Sequence, residues 1–541
     1  MSEVIPVEVL PVGERPAGFL RSAGIISLAV AASRVTGLVR ESVLSGLFGA
    51  GAVFDAYVLG YRIPNLARDL FAEGALASAF VPTFSRYLAT KTREEARELS
   101  DITGTLLLAI TALLSILGMI FSPVFVEIFA SGFHAVPGKF ELAVQLVRIM
   151  SPFLVLIALS GQAQGILYAC HRFGVPAISS SLFNIGSVAF GLTVGYWLGP
   201  RIGITTVQGM AMGTVFGGAS QLAFQLPSVW RAGFAWRPRW NLRHEGVRQI
   251  LRLMGPAVIA SASVQINVLV NTNFAASLHD AAGNVLNGPV SWLAYAFRFQ
   301  QLPLGLFGIS IASATLPRIS RSAARGDFQE FRDVLSNSIA MVLLTTVPAS
   351  VGLAIFGESM IGIVYQHGRF LASDTHQTAL ALSCYAIGLA GFASVKLLAP
   401  AFYALGDSRT PMLVSIGAIA VNAATAFTTV RIFGFGHAGL ALSLSSVSIF
   451  NALMLLGLLR PRIGGVHGRA IGVSLAKILV ASAVMGAVCM AVLRVTHSRW
   501  MNLIVGIPVG GAVFYLAASL LRVREVGELR EMVLRKVGRR V

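Results

Sequence analysis

Apolar stretches long enough to cross a bilayer, about 20 residues each, recur from end to end of this 541-residue chain. No other feature limits its folding so strongly. Inside lipid the backbone has no water to bond with, so each stretch must satisfy its own N–H and C=O groups, as a helix does. Only 12% of residues are charged, about half the share usual for soluble proteins, and the mean hydropathy is +0.74. The pattern predicts an all-α polytopic membrane protein with fourteen spans. They lie near 23–48, 55–88, 101–127, 141–169, 175–199, 203–227, 247–278, 289–317, 336–357, 375–403, 410–432, 437–459, 470–493 and 501–521.

The net charge of +18 reads as topology, not as a nucleic-acid surface. With the N-terminus inside, roughly 26 Lys and Arg fall in cytoplasmic loops and about 6 outside, which obeys the positive-inside rule. Both termini are then cytoplasmic, and Glu3, Glu8 and Glu14 argue against a cleavable signal. Cys170, Cys384 and Cys489 are scattered without ligand spacing, so disulfides and a zinc site are not expected. Nucleotide-binding and hydrolase motifs are missing from the sequence as well, so no enzyme activity or organic cofactor is expected.

The sequence repeats. Ala77-Ser78-Ala79-Phe80-Val81-Pro82 matches Ala312-Ser313-Ala314-Thr315-Leu316-Pro317, and Arg86 matches Arg321. The offset is 235 residues, which also relates Tyr168 to Tyr403 and Pro176 to Pro411. Each copy covers six spans and begins on the same side, so the halves are parallel repeats, an arrangement known from transporters. The chain therefore divides into a cytoplasmic segment 1–22, a first lobe 23–228, a cytoplasmic linker 229–246 and a second lobe 247–459. Helices 13 and 14 follow over 460–521, and a basic cytoplasmic tail occupies 522–541.

Ionisable residues inside spans are costly and by default face a water-filled interior. Span one carries Arg34, Arg40 and Glu41, and span two carries Asp55, Arg62, Arg68, Asp69 and Glu73. Arg298 lies in span eight and Lys396 in span ten. Arg34 and Glu41 share a helix face, as do Asp55, Arg62 and Asp69, because they are spaced by seven. The cations outnumber the carboxylates, which favours an anionic substrate, and a guanidinium fork suits phosphate. The competing reading makes them structural ion pairs, with Arg62 and Asp69 the first candidate. Pro64, Gly74, Pro303, Gly305 and Gly308 should bend helices next to these charges. In span seven Asn267 and Asn271 share a face, suited to helix–helix hydrogen bonds, to the cavity or to a cation.

Several stretches together resemble the MurJ (MviN) lipid II flippase family, within the multidrug/oligosaccharidyl-lipid/polysaccharide exporter superfamily. They are Ser33-Arg34-Val35-Thr36-Gly37-Leu38-Val39-Arg40-Glu41, Asp55-Ala56-Tyr57 and Ile63-Pro64-Asn65-Leu66-Ala67-Arg68-Asp69-Leu70-Phe71-Ala72-Glu73-Gly74. Tyr295-Ala296-Phe297-Arg298, Gln366-His367-Gly368-Arg369-Phe370 and Val395-Lys396-Leu397-Leu398-Ala399-Pro400 add to them. The resemblance implies two six-helix lobes, a final helix pair with a groove for a lipid tail, and a bacterial inner-membrane location. It implies transfer of an undecaprenyl-diphosphate-linked peptidoglycan precursor to the outer leaflet. Arginines matching Arg40, Arg68 and Arg298 would hold the diphosphate, and Arg34, Asp55, Asn65 and Glu73 complete the expected substrate-binding set. Glu41, Arg62, Asp69 and Lys396 are the expected gating or ion-pair residues. Family members often carry a base where this chain has Asp69, and some bind sodium through carboxylates on spans seven and eleven. Here those spans offer Asn267, Asn271 and Asn422 and no Asp, so a monovalent cation and the membrane potential both stand as drives. One charge moved through 100 mV is worth about 2.3 kcal/mol. The expected partners are lipid II and membrane lipids, with the protein a monomer. A flippase for another polyprenyl-linked saccharide, a drug or cation antiporter, and a non-transporting scaffold are the alternatives. Complementation of cells depleted of their own flippase separates them.

Overall fold

A computed structural model describes residues 17–69, 76–280, 282–496 and 498–527. The chain packs as two units, the first holding residues up to 44, 56–129 and 136–262. The second holds 45–55, 130–135 and everything from 263 onward. Apart from one isolated bridge, His279 with Val285, the described secondary structure is helical.

The first unit contains most of α1 (Ala17–Phe48) and α2 (Ala52–Ala67), with α3 (Leu76–Thr90), α4 (Arg93–Ile120), α5 (Ser122–Ala130) and α6 (Lys139–Met150). It continues through α7 (Phe153–Ala169), α8 (Gly174–Leu192), α9 (Gly199–Ile202) and α10 (Thr206–Arg231) into the start of α11 (Glu245–Ala276). Capping boxes open two of these helices. Thr92 accepts from Glu95 N–H and Glu95 from Thr92 N–H before α4, and Thr205 and Gln208 do the same before α10, satisfying N–H groups that a helix start leaves bare. Phe80, Phe84, Leu99, Ile102 and Leu167 form the buried core.

Glycine makes the tightest contact in this unit. Gly209, Gly213 and Gly217 recur every fourth residue along α10 and face α8. A Cβ on Gly213 would sit 2.3 Å from Ser187 O, and one on Gly217 would sit 2.6 Å from Phe183 O. Small residues let two backbones approach this closely inside a membrane.

The second unit contains the rest of α11, then α12 (Pro289–Pro303), α13 (Ser310–Arg325), α14 (Phe328–Tyr365), α15 (Ala372–Ile387) and α16 (Leu389–Ala404). After these come α17 (Arg409–Phe427), α18 (Gly436–Leu459), α19 (Gly468–Val495) and α20 (Arg499–Leu520). Ile319, Phe331, Leu335, Leu397, Phe402 and Leu455 form its main core. The last helix pair docks on α14, through Leu344 and Val347 against Ile478, Ala481 and Ala518, and through Phe356 against Met485 and Cys489.

Among the described residues nine helices are long and apolar enough to cross a membrane, or ten if the bent pair α15–α16 is one span. The fourteen expected from sequence add α1, α2 with α3, α10 and α11. Each of the four carries an unusual polar load: the charges of α1 and α2, Gln221 and Gln225 in α10, and Gln265, Asn267, Asn271 and Asn273 in α11.

Four π-helical interruptions follow the sequence repeat, in two pairs. The helix after α8 widens into a π-helix at Thr193–Leu198, and the helix after α17 does so at Thr428–Ile432. Their starts are 235 residues apart, the same offset as the repeated motif, whose copies lie on α3 and α13. Arg68 and Asp69 are also π-helical, and the same offset carries them to Pro303 and Leu304, where the π-helix Leu304–Ile309 begins.

Loop ends are tied down locally. Asp407, in the turn after α16, accepts from Thr410 N–H (3.0 Å) and is bonded by Thr410 Oγ1 and Arg462. Partial burial pushes its carboxyl up, but the bonds from Thr410 and Arg462 outweigh it and hold the pKa at about 2. This depressed value contributes stability above the unfolded pKa of about 3.9, lost as pH falls toward about 2. The melting temperature of detergent-solubilised protein should therefore drop between about pH 4 and pH 2, and Asp407→Asn should remove that part of the slope. Separately, Gly213→Val should lower stability by about 1–3 kcal/mol through collision with Ser187. Gly352→Ala, with no atom within 4 Å of the added carbon, should melt at or above the wild-type temperature.

Candidate functional site

The charged residues of α1 and α2 fall into distinct environments. Arg34 is exposed and, with Ser33, lines a cavity of about 410 Å³ whose far wall is Gln164, Tyr168, Phe173 and Pro176. Asn184 of α8 fixes α1 beside it, its Nδ2 donating to Ser33 O (3.2 Å) and Thr36 Oγ1 (3.3 Å). Gly37 faces the same amide, 3.4 Å from where a Cβ would stand.

Arg40 lies two turns along and is half-buried. Its guanidinium carbon sits 5.1 Å from the Phe183 ring centre and 5.9 Å from that of Tyr61. An oxygen of the Glu41 carboxylate is 3.9 Å away, too far for a hydrogen bond. The buried Nε of Arg40 has no hydrogen-bond partner. Ring faces attract a cation without using up its N–H groups, so this guanidinium keeps donors for a ligand.

Arg68 is different. Its Nε and Nη2 donate to Asp69 Oδ1 at 3.2 and 2.9 Å, and Asn65 Nδ2 donates to Asp69 Oδ2 at 3.3 Å. The buried Oδ1 of Asn65 has no hydrogen-bond partner. Asp69 thus balances Arg68. Arg62 itself is half-buried. Glu73 lies outside the described residues.

Asp55 belongs to the second unit and is completely buried. Its Oδ2 accepts from Gly288 N–H (2.9 Å), and its Oδ1 accepts from Ser291 N–H (2.9 Å) and Ser291 Oγ (2.5 Å). Gly288 opens α12 with Pro289 in the first turn and no side-chain cap of its own. A carboxylate from 233 residues earlier supplies that cap, and its charge suits the positive end of the helix. Both oxygens of Asp55, an expected substrate ligand, accept hydrogen bonds from the start of α12. The segment around it is clasped too. Phe54 stacks on Tyr295 with ring centres 4.7 Å apart, and Arg369 N–H donates to Gly46 O at 2.9 Å.

Further along α12, Arg298 is exposed, while its neighbours Phe299 and Gln300 are buried. Lys396 is exposed on α16, with Leu397 and Leu398 buried behind it.

The three asparagines do come together. Asn422 Nδ2 donates to Asn267 O (3.3 Å) and Asn271 Oδ1 (3.0 Å). Asn271 Nδ2 donates to Leu440 O (3.1 Å) and Ser443 Oγ (3.2 Å). All three are buried, and the Oδ1 atoms of Asn267 and Asn422 have no hydrogen-bond partner. Among the described residues no cluster of His, Cys, Asp and Glu could hold a metal.

Against this geometry stand the comparisons with known proteins. The family profile of "Lipid II flippase MurJ" matches residues 44–507. The chain belongs to the MurJ lipid II flippase family. Its members transport a lipid and are not enzymes, as the sequence motifs implied. The chain is 34% identical over 434 residues to the lipid II flippase MurJ of Burkholderia cenocepacia, covering 80% of this chain and 81% of that one. It is 34% identical over 470 residues to the probable lipid II flippase MurJ of Haemophilus influenzae, covering 84% and 89%. Among solved structures it is similar to a lipid II flippase MurJ in an inward closed conformation. That match has a TM-score of 0.74 at 26% identity, over 92% of this chain and 98% of that one. An inward-facing multidrug MATE transporter shares the fold, with a TM-score of 0.64 at 17% identity over 80% and 94%. The chain is thus a multi-pass, all-helical membrane protein with a MurJ-like fold, related in structure to the MATE transporters.

Sequence reasoning missed the residues that hold the charges: Phe183 and Tyr61 around Arg40, Asn184 behind Arg34, and Ser291 on Asp55. Gly288-Pro289 without an N-cap side chain was the one legible hint, since a helix opening that way needs its cap from elsewhere. Replacing Asp55 by Ala leaves buried N–H groups unbonded and should cost about 1–3 kcal/mol. Thermal melting of the purified variant checks this, and a wild-type melting temperature would show that the cap is dispensable.

Proposed function

We propose that this protein moves lipid II, an undecaprenyl-diphosphate-linked muropeptide, from the inner to the outer leaflet of the bacterial inner membrane by alternating access. Family membership over most of the chain supports the substrate. Within the chain the reading rests on Arg40, a half-buried guanidinium that ring faces hold while its Nε stays unbonded. A diphosphate offers the acceptor oxygens that such a group lacks, and charge-assisted bonds to it are strong. Arg34, on the same helix, guides the anion. Arg68 joins by exchanging Asp69 for phosphate oxygens, and Arg298 supplies a further cation from α12. Asn65 contributes its free carbonyl oxygen to the muropeptide, and Glu73 completes the set. Glu41, Arg62, Asp69 and Lys396 act as exchange partners or gates, and Asp55 acts through the α12 cap.

In this reading all fourteen helical stretches cross the membrane, both termini are cytoplasmic and the protein works as a monomer. Six-span lobes over 23–228 and 247–459 repeat in parallel, and the shared 235-residue spacing of the π-helices supports this. The membrane potential supplies the drive. The free Oδ1 atoms of Asn267 and Asn422 are of a type that takes a monovalent cation, but no carboxylate accompanies them.

In cells depleted of their own flippase, the wild-type chain should restore outer-leaflet lipid II. Arg40→Ala should reduce flipping at least about a hundredfold, from loss of a charged contact worth about 3 kcal/mol, with normal amounts of folded protein. Asp69→Asn, which releases Arg68, should retain binding. Normal outer-leaflet lipid II with Arg40→Ala would refute the assigned grip, and failure of the wild-type chain to complement would refute the substrate.

A further inference from the structure

A second basic cavity lies outside every residue discussed so far. It has a volume of about 970 Å³ and opens where α18 ends, α19 begins and the chain leaves α20. These three points share one membrane face. Residues 460–467 join α18 to α19 directly, and α19 and α20 form an adjacent helix pair joined by a short turn.

The lining mixes two chemistries. Arg460, Arg469, Lys477, Arg522 and Arg524 line it together with Leu453, Leu456 and Val473. The floor is fixed. Val523 and Val526 are buried against α14 and α19, and Lys477 Nζ donates to Arg522 O at 3.2 Å. Ser474 Oγ donates to Glu525 Oε1 at 2.8 Å. Glu525 is a buried carboxylate beside the floor, one negative charge against five positive ones in the lining. The first turn of α19 also opens into the cavity through Gly468, Arg469 and Ala470. No side chain caps that turn, because the His467 ring turns away to Asp333 Oδ1, 2.6 Å distant. An uncapped helix start amid guanidinium groups is a phosphate-binding arrangement.

We propose that this cavity binds the phosphate headgroup of an anionic phospholipid, with an acyl chain laid against Leu453, Leu456 and Val473. Five cations around one concavity exceed what a scattered positive-inside bias produces. The apolar part of the lining, Leu453, Leu456 and Val473, distinguishes a lipid from a soluble phosphate compound, because a soluble anion gains nothing from it. The site is separate from the arginines of α1, α2 and α12, so it adds a bilayer lipid as a ligand that is not cargo. It also gives the final helix pair a tie to the membrane through a headgroup.

The test is a calorimetric titration of the full chain in neutral detergent. The probes are dihexanoyl-phosphatidylglycerol, dihexanoyl-phosphatidylcholine and glycerol phosphate. Saturable binding of the phosphatidylglycerol alone is expected. Arg469→Gln with Lys477→Gln should weaken it at least about tenfold, given the worth of a basic residue near an anionic headgroup. Arg460→Gln, at an exposed position that folding does not need, should weaken it about fivefold. Arg321→Gln with Arg325→Gln removes two charges from the end of α13, on the same face, and should leave it unchanged. Equal binding of the phosphatidylcholine would reduce the cavity to an apolar trough and overturn the proposal. Equal binding of glycerol phosphate would assign a soluble anion instead. Equal weakening by the α13 pair, or none by Arg460→Gln, would mean a diffuse surface field and no site.

Discussion

A charge in a membrane helix persists only where protein or water takes the place of bulk solvent. Three ions of α1 and α2 have their solvation replaced in three different ways. Asp55 is solvated by the start of another helix, through two backbone N–H groups and a serine hydroxyl. Arg68 is solvated by a carboxylate, itself held by Asn65. Arg40 has ring faces and a distant carboxylate. The first arrangement is complete, the second is an exchangeable pair, and the third leaves donor capacity. Under the proposed function, these differences in solvation separate the charge that serves the fold from the one that keeps donors for a ligand.

Much of this was legible in the sequence, and the reasons differ by element. The apolar stretches and the family motifs are local patterns, so they survive without coordinates. The charges stood out because hydrocarbon makes them expensive. The meeting of Asn267, Asn271 and Asn422 could be anticipated only as a class of residue, since it joins two helices, α11 and α17, that are far apart in the chain. The Asp55 cap was not legible, because Gly288 and Ser291 lie more than 230 residues away and nothing in the span pattern links them. Asp69 looked like a loss of positive charge. In the structure it is the counter-ion of the neighbouring arginine, a detail set by side-chain direction that spacing does not reveal.

The repeat extends below the level of sequence motifs. A π-turn widens the helix by one residue, breaks the regular hydrogen-bond ladder and is common at functional sites. Here such turns recur at 193 and 428, and again at 68–69 and from 304. The second pair falls on Arg68 and six residues beyond Arg298, so each half has an irregular backbone near a charge, although Arg298 itself matches Ile63 and not Arg68. The glycine contact of α8 with α10 has the opposite character, because backbones that close have no freedom to slide past one another. The first unit is therefore stiff along α8–α10 and locally adjustable at Arg68.

The ownership of residues 45–55 bears on how the chain could be divided. These eleven residues come early in synthesis, yet they pack inside the second unit, with Asp55 capping α12 and Gly46 bonded to Arg369. Residues 130–135 do the same, where Gly132 fits so tightly that a Cβ would stand 2.2 Å from Ala276 O. A cut in the linker near 240 would thus not yield two self-sufficient pieces. The later fragment would lack the cap on α12 and the chain that fills the space beside Ala276. Two co-expressed fragments could reassemble by returning these segments, so the same residues that clasp the second unit would act as the peg that recognises its own other half.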